Sequence, residues 1–227
     1  MPPGLVIFDC DGVLVDSEPI SIALLIELIV EAGGMMTEDV AYERFLGRSM
    51  ASISDTLSQE FGLDVRDEHL ANMRAGLYQR FRRELQPIAG VRRVLEALRI
   101  PRCVASSSQL ERIRLSLSVT GLLELLDPHI YSASMVKRGK PAPDLFLHAS
   151  REMAVAPADC VVVEDSPAGI AAARRAGMRV FGFVGGAHAR SMDLEGALAE
   201  LGPDAIFDDM RQLPGLLAGP ETARKTS

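Results

Sequence analysis

The sequence has little cysteine, few histidines and no excess of positive charge. Its three cysteines, Cys10, Cys103 and Cys160, are an odd number at spacings that fit neither a disulfide framework nor a zinc site. Each lies in or beside an apolar strand-like run, so they read as reduced, buried thiols of a cytoplasmic protein. Cys10 stands between Asp9 and Asp11, whose carboxylates would raise its pKa and make it a poor nucleophile. The four histidines, His69, His129, His148 and His188, do not cluster, and none is assigned to catalysis. A net charge of −7 argues against a nucleic-acid surface. The most apolar segment, Ile20 to Val30, contains Glu27, is followed by Glu31 and is too short to span a bilayer. The opening MPPGLVIF lacks the basic region and long apolar core of a signal peptide, so no membrane attachment is expected.

What is there is a chain of 227 residues, long enough for one large domain or two unequal ones. The most informative stretch is LVIFDCDGVLVDSE, residues 5 to 18. Leu5 to Phe8 reads as a short buried strand, and it stops at Asp9, Asp11 and Gly12. If the extended backbone carries through Asp11, both carboxylates point the same way, because strand side chains alternate. Two like charges at the end of a buried strand repel, and each costs about several kcal/mol to desolvate unless donors or a cation compensate. A divalent cation would do so. The plainer reading is an acidic loop capping a strand.

A long helical stretch follows, with Ser17 placed to cap it and Gly33-Gly34 to end it. Three more helical patterns come next. One runs from about Asp39 to Leu46, one carries Ile53, Leu57 and Phe61, and one carries Leu70, Met73, Leu77 and Phe81. Arg80, Arg82 and Arg83 read as a solvated face of the last of these. Beyond Pro87 the chain alternates. Strands are expected at Arg102–Ala105, His129–Tyr131, Cys160–Val163, Val180–Phe183 and Ala205–Phe207, with helices between them. Ser166, Pro167 and Gly177 punctuate the helix after the most apolar of these strands. Apolar strands alternating with helices mean a parallel sheet covered on both faces. The expected fold class is α/β, a Rossmann-like parallel sheet core with an inserted α-helical cap domain. Residues 1–15 and 88–218 are assigned to the core, 16–87 to the cap and 219–227 to a flexible tail.

In such a sheet, ligands bind at the carboxyl ends of the strands. Asp9 and Asp11 end the first strand and Ser106 ends the second. Lys140 follows the third between Gly139 and Pro141, and Glu164-Asp165 end the fourth. A carboxylate nucleophile, hydroxyl donors, a fixed cation and an acidic metal anchor are the parts phosphoryl transfer needs. These four motifs, Asp9-Cys10-Asp11-Gly12, Cys103-Val104-Ala105-Ser106, Gly139-Lys140-Pro141 and Val163-Glu164-Asp165-Ser166, closely resemble those of the haloacid dehalogenase superfamily, in the same order. The phrases DGVLVDSE, GKPAPDLF and EDSPAGI resemble the branch that holds β-phosphoglucomutases and sugar-phosphate phosphatases.

The resemblance implies a role for each residue. Asp9 attacks phosphorus, and Asp11 protonates the leaving oxygen and then activates water. Ser106 and the amide of Ser107 bind the phosphoryl group, and Lys140 balances its charge. Mg²⁺ sits on Asp9, the backbone carbonyl of Asp11 and Asp165, with Glu164 a further ligand or a support for one. Gly12, Asp16, Gly47, Arg48 and Ser107 complete the candidate substrate contacts, although Asp16 reads equally as a hinge and Arg48 as a surface charge. Ser107 and Ser108 read alternatively as caps of the next helix, and Gly169 as a tight packing position.

The mutase pattern places a histidine at Ser21 and an arginine at Met50, and both are missing here. The expectation is therefore a Mg²⁺-dependent phosphatase of a small phosphorylated metabolite, a sugar or sugar-acid phosphate. A β-phosphoglucomutase-type mutase is the alternative. A signalling receiver domain is disfavoured because it places its acidic pair early, its phosphoacceptor at a later strand and no cap after its first strand. A non-catalytic binding descendant is disfavoured by the intact motifs. No nucleic-acid or membrane partner is expected, and a monomer is the expected state.

Overall fold

The computed structural model describes residues 2–45, 50–62, 67–190 and 194–219. Among them, six strands form one sheet: β1 (Leu5–Phe8), β2 (Arg102–Ser106), β3 (Ile130–Ser132), β4 (Cys160–Glu164), β5 (Arg179–Phe183) and β6 (Ala205–Phe207). Their order across the sheet is β3-β2-β1-β4-β5-β6, and every pairing is parallel. A parallel sheet needs cover on both faces, which is why β1 and β4 read as unbroken apolar runs. Their side chains alternate between two cores. Val6, Phe8, Val161 and Val163 pack on one face, and Leu5, Ile7, Cys160 and Val162 on the other. The α/β expectation holds. β3 lies one residue later than the pattern places it, because Val104 pairs with Ile130 and sets the register.

Among the described residues five helices lie between β1 and β2, and the first four form the insert: α1 (Glu18–Glu31), α2 (Glu38–Phe45), α3 (Met50–Phe61) and α4 (Asp67–Glu84). They make a core of their own from Ile22, Leu25, Tyr42, Phe45, Leu57 and Met73, among others. α4 serves two cores. Met73 faces the other insert helices, while Leu77 and Phe81, one and two turns on, join the core beneath the sheet. The two crossings between sheet and insert are tied together. Asp16 N donates to Gln86 O at 3.0 Å, and Ile88 N donates to Leu14 O at 2.9 Å.

One local expectation fails. Ser17 occupies the N-cap position of α1, but its hydroxyl makes no capping bond. It donates instead to Asp11 Oδ1 at 2.6 Å. A carboxylate acceptor makes a stronger partner than a neutral amide, so the cap is given up to the charge. α5 (Val91–Ala97) leads from the insert into β2, and the helices that follow β2 to β6 are α6 (Leu110–Val119), α7 (Asp144–Glu152), α8 (Pro167–Arg175), α9 (Leu194–Ala199) and α10 (Leu213–Ala218). α8 begins as its sequence specifies. Ser166 Oγ accepts from Gly169 N at 3.0 Å and Pro167 takes the first turn.

Phe146 of α7 is fully buried, and its ring centroid lies 4.9 Å from Lys140 Nζ. Truncating it removes packing from under the sheet's polar end. Phe146→Ala is expected to cost about 3–5 kcal/mol of stability, read from urea denaturation followed by circular dichroism.

Candidate active site

β1 and β4 are neighbours where the strand order reverses, the place in an open parallel sheet where ligands bind beyond the carboxyl ends. This brings Asp9, from the end of β1, against Glu164 and Asp165, from the end of β4. Ligand oxygens of all three lie within 4.8 Å of one another, and all three residues are buried. Lys140, from the segment after β3, reaches into the group. Its Nζ lies 2.6 Å from Asp9 Oδ1 and 2.5 Å from Glu164 Oε1, and its side chain is only 3% exposed. Burial alone would strip the proton from Lys140, but Asp9 and Glu164 overcome that and hold it charged. Asp9 is pushed the other way. Burial raises its pKa, Glu164 and Asp165 add to the rise, and Lys140 opposes it. Ionised together, the three buried carboxylates would outnumber the one ammonium, and that excess of negative charge is part of what raises the pKa of Asp9. An all-oxygen donor set with that excess fits a hard divalent cation such as Mg²⁺.

Glu164 spends both oxygens on the protein. Oε1 accepts from Lys140, and Oε2 accepts from Ser166 N and Ser166 Oγ, each at 2.9 Å. That engagement suits a residue that positions Lys140 more than one that faces a ligand. Gly169 sits directly beneath, and any Cβ there would collide with the Glu164 carboxylate. Gly12 is constrained in the same way. Its φ is +78°, and a Cβ would run into Asp165 and His188. Its role in the geometry is close approach to Asp165.

Asp11 lives apart from this group. Arg112 of α6 donates to its Oδ1 at 2.9 Å, Ser17 Oγ donates to the same oxygen, and Ser108 Oγ donates to Oδ2 at 2.6 Å. Burial would raise its pKa, but Arg112, with Ser108 and Ser17, reverses this and holds it below the usual carboxylate range. Pairing in β1 stops at Phe8, so the two aspartates take different partners. Neither Ser107 nor Ser108 caps α6, whose N-cap position is held by Gln109. Ser107 is exposed at the end of β2. Ser106 is buried, and its Oγ accepts from Ser108 N at 3.1 Å, which leaves its own proton free to donate.

In the sequence nothing beside His188 marks its partner. It is buried, on the segment after β5, with Nε2 3.1 Å from Asp165 Oδ2. Arg112 is equally unmarked in the sequence, because its partner lies 101 residues away. Asp16 Oδ1 accepts from Ala187 N at 3.2 Å, linking the approach to α1 with the segment that carries His188. Gly47 and Arg48 lie outside the described residues. Cys10 is buried and free, and burial, with Asp11 and Asp9, raises its thiol well above the ordinary value, as expected. No helix among the described residues is long and apolar enough to cross a membrane.

Comparison with known proteins matches residues 6–183 to the family described as haloacid dehalogenase-like hydrolase. The chain is 33% identical over 184 residues to a 6-phosphogluconate phosphatase of Escherichia coli K12, covering 81% of this chain and 83% of that one. A solved haloacid dehalogenase-like protein of unknown function from Agrobacterium tumefaciens C58 is 38% identical, with a TM-score of 0.84 over 95% of this chain and 97% of that one. A solved hydrolase from Deinococcus radiodurans R1, with bound phosphate and sodium, is 32% identical, with a TM-score of 0.79 over 96% of each chain.

Glu18, in the first turn of α1, feels burial first and then the charge of Asp11, and its pKa rises from 4.5 to about 7. A carboxyl raised on folding binds its proton more tightly in the folded state. Its stabilising effect is therefore complete below pH 4.5 and is lost as pH climbs through about 7. In EDTA, denaturation of the wild type between these two values should show this falling contribution, and Glu18→Gln should remove it.

Proposed function

The chain belongs to the haloacid dehalogenase-like hydrolase family and is a phosphoric monoester hydrolase, and we propose that it is a Mg²⁺-dependent phosphatase working through an aspartyl-phosphate on Asp9. Its substrates on this reading are small phosphorylated metabolites, sugar or sugar-acid phosphates. The observation that carries the proposal is the pairing of Asp9 with Lys140 at the end of β1, beside Asp165 and apart from Asp11.

In the first step an Asp9 oxygen attacks phosphorus, the ester P–O bond breaks, and Asp11 delivers a proton to the leaving oxygen. In the second, Asp11 takes a proton from water as the water oxygen attacks phosphorus, and the bond to Asp9 breaks to release phosphate. Ser106 Oγ and Lys140 face the phosphoryl oxygens through both steps. Asp9, Asp165 and the Asp11 carbonyl would hold Mg²⁺, which supplies the charge neutralisation that two approaching anions require. Glu164 keeps Lys140 in place. The lowered pKa that Arg112, Ser108 and Ser17 give Asp11 suits the second step, and protonating the leaving oxygen requires it to gain a proton as it comes away from Arg112.

Helices α1 to α4, residues 16–87, act on this reading as the cap that selects the leaving group and closes over the crevice. The paired crossings near Val15 and Pro87 are the natural hinge. Hydrolysis is favoured over mutase transfer because Ser21 stands where the mutase pattern has histidine. Its hydroxyl donates to Ser17 O at 3.0 Å. Three buried free thiols support a reducing compartment, the cytoplasm.

Two results are expected. Release of phosphate from sugar phosphates should stop in EDTA and return with Mg²⁺, while Asp9→Asn should remove it with the fold intact by circular dichroism. Wild-type turnover by Asp9→Asn would refute the nucleophile assignment. Asp11→Asn should lower kcat by about 10²- to 10⁴-fold, the usual worth of a general acid and base. Formation of glucose 6-phosphate from β-glucose 1-phosphate, without release of phosphate, would establish the mutase instead.

A further inference from the structure

Arg112 belongs to α6, yet its side chain reaches across to the helical insert. Its Cζ lies 5.3 Å above the ring of Phe81 on α4, and its Nη2 lies 3.5 Å from Ser21 Oγ on α1. The same Nη2 donates to Asp11 Oδ1 at 2.9 Å, and the side chain is 20% exposed. Arg112 therefore occupies the junction of the sheet's polar end with α1 and α4. It reaches, from the core, the position where the mutase pattern has histidine.

The guanidinium is only partly used. Asp11 meets it through one oxygen, because Oδ2 is taken by Ser108. Nε is buried and meets no acceptor among the described residues. A buried N–H without an acceptor is unfavourable, and the guanidinium fork is shaped to hold a carboxylate or phosphate through two parallel bonds. A purely structural partner for Asp11 would not need that second edge. Position defines which part of a substrate would meet it. Asp11 is the residue that faces the leaving oxygen, and Lys140 is the cation on the phosphoryl side. Arg112, in contact with Asp11, lies on the leaving-group side. Glu18, a further carboxyl near Arg112, has its pKa raised to about 7, which weakens its competition for the guanidinium below that value.

We infer that Arg112 is a specificity residue that binds a second anionic group, carboxylate or phosphate, carried by the leaving portion of the substrate. The inference rests on the phosphatase reading and narrows it. The preferred substrates are dianionic at one end and anionic again at the other, as in sugar-acid phosphates and sugar bisphosphates. Neutral-ended sugar phosphates bind to the same catalytic residues without this anchor.

Matched substrates test it. With Mg²⁺, 6-phosphogluconate is compared with sorbitol 6-phosphate, and fructose 1,6-bisphosphate with fructose 6-phosphate. One pair differs by a carboxylate and the other by a phosphate, so the two arms separate the two sources of charge. The wild type should favour the anionic member of at least one pair by about ten- to a hundredfold in kcat/KM, mostly through KM. Arg112→Met should bring that ratio to within about threefold, and Arg112→Lys should leave an intermediate value. Equal use of both members by the wild type would overturn the inference. So would an Arg112→Met protein that loses the same factor on both, since Arg112 would then only position Asp11. If Arg112→Met fails to fold, the wild-type ratio and Arg112→Lys decide. If no phosphomonoester is hydrolysed at all, the phosphatase reading falls. Calorimetric affinities of the wild type for the two members of each pair would then still support or overturn the anion preference.

Discussion

The acidic group at the polar end of the sheet depends on one buried cation. Lys140 touches Asp9 and Glu164 at once, and none of the three has much access to water. An isolated buried carboxylate loses hydration worth about several kcal/mol and ordinarily takes up a proton instead. With Lys140 between them, two carboxylates can converge. The arrangement is then anchored outward. Glu164 is fixed by Ser166 at the start of α8, Gly169 leaves room for its carboxylate, and Phe146 packs beneath the ammonium. Core packing, helix capping and site charge are one connected construction, and a change in any of them reaches Asp9.

The two aspartates show how environment separates identical groups. Asp9 and Asp11 are two residues apart, and both are shielded from water. Asp9 shares one lysine with Glu164 and lies beside Asp165, and burial with these two carboxylates raises its pKa, which suits a group that works beside a metal ion. Asp11 has a guanidinium and two hydroxyls to itself. On the proposed mechanism one is a nucleophile and the other a proton carrier. The difference comes from what the rest of the chain places beside each, since the residue type is the same.

Much of this was legible in the sequence, for identifiable reasons. Apolar runs ending in Asp9, Ser106 and Glu164 are strands ending in polar groups because a buried parallel strand leaves no other reading. The order of those motifs pointed to the family before any geometry. Ser166 and Pro167 began a helix as expected, because capping is a local interaction. Ser17 stands at the start of α1 without a capping bond, because the Asp11 carboxylate six residues back is a stronger partner than the helix amides. His188, Arg112 and the contact of Ser108 with Asp11 were not legible. Each depends on a partner between 23 and 101 residues away, and a lone histidine or arginine in a sequence carries no sign of what it will face.

The kind of chemistry follows from local sequence, which specified the alternating strands and helices, the helical insert after β1, the reduced cysteines and the four motifs whose residue types suit phosphoryl transfer. Only the tertiary structure decided how those residues share charge. It assigned Lys140 to Asp9 and Glu164, gave Arg112 to Asp11, and set His188 against Asp165. The physical reason is range. Backbone preference and hydrophobic period act within a few residues, whereas the energy of a buried charge depends on every group within a few ångströms, wherever in the chain it comes from.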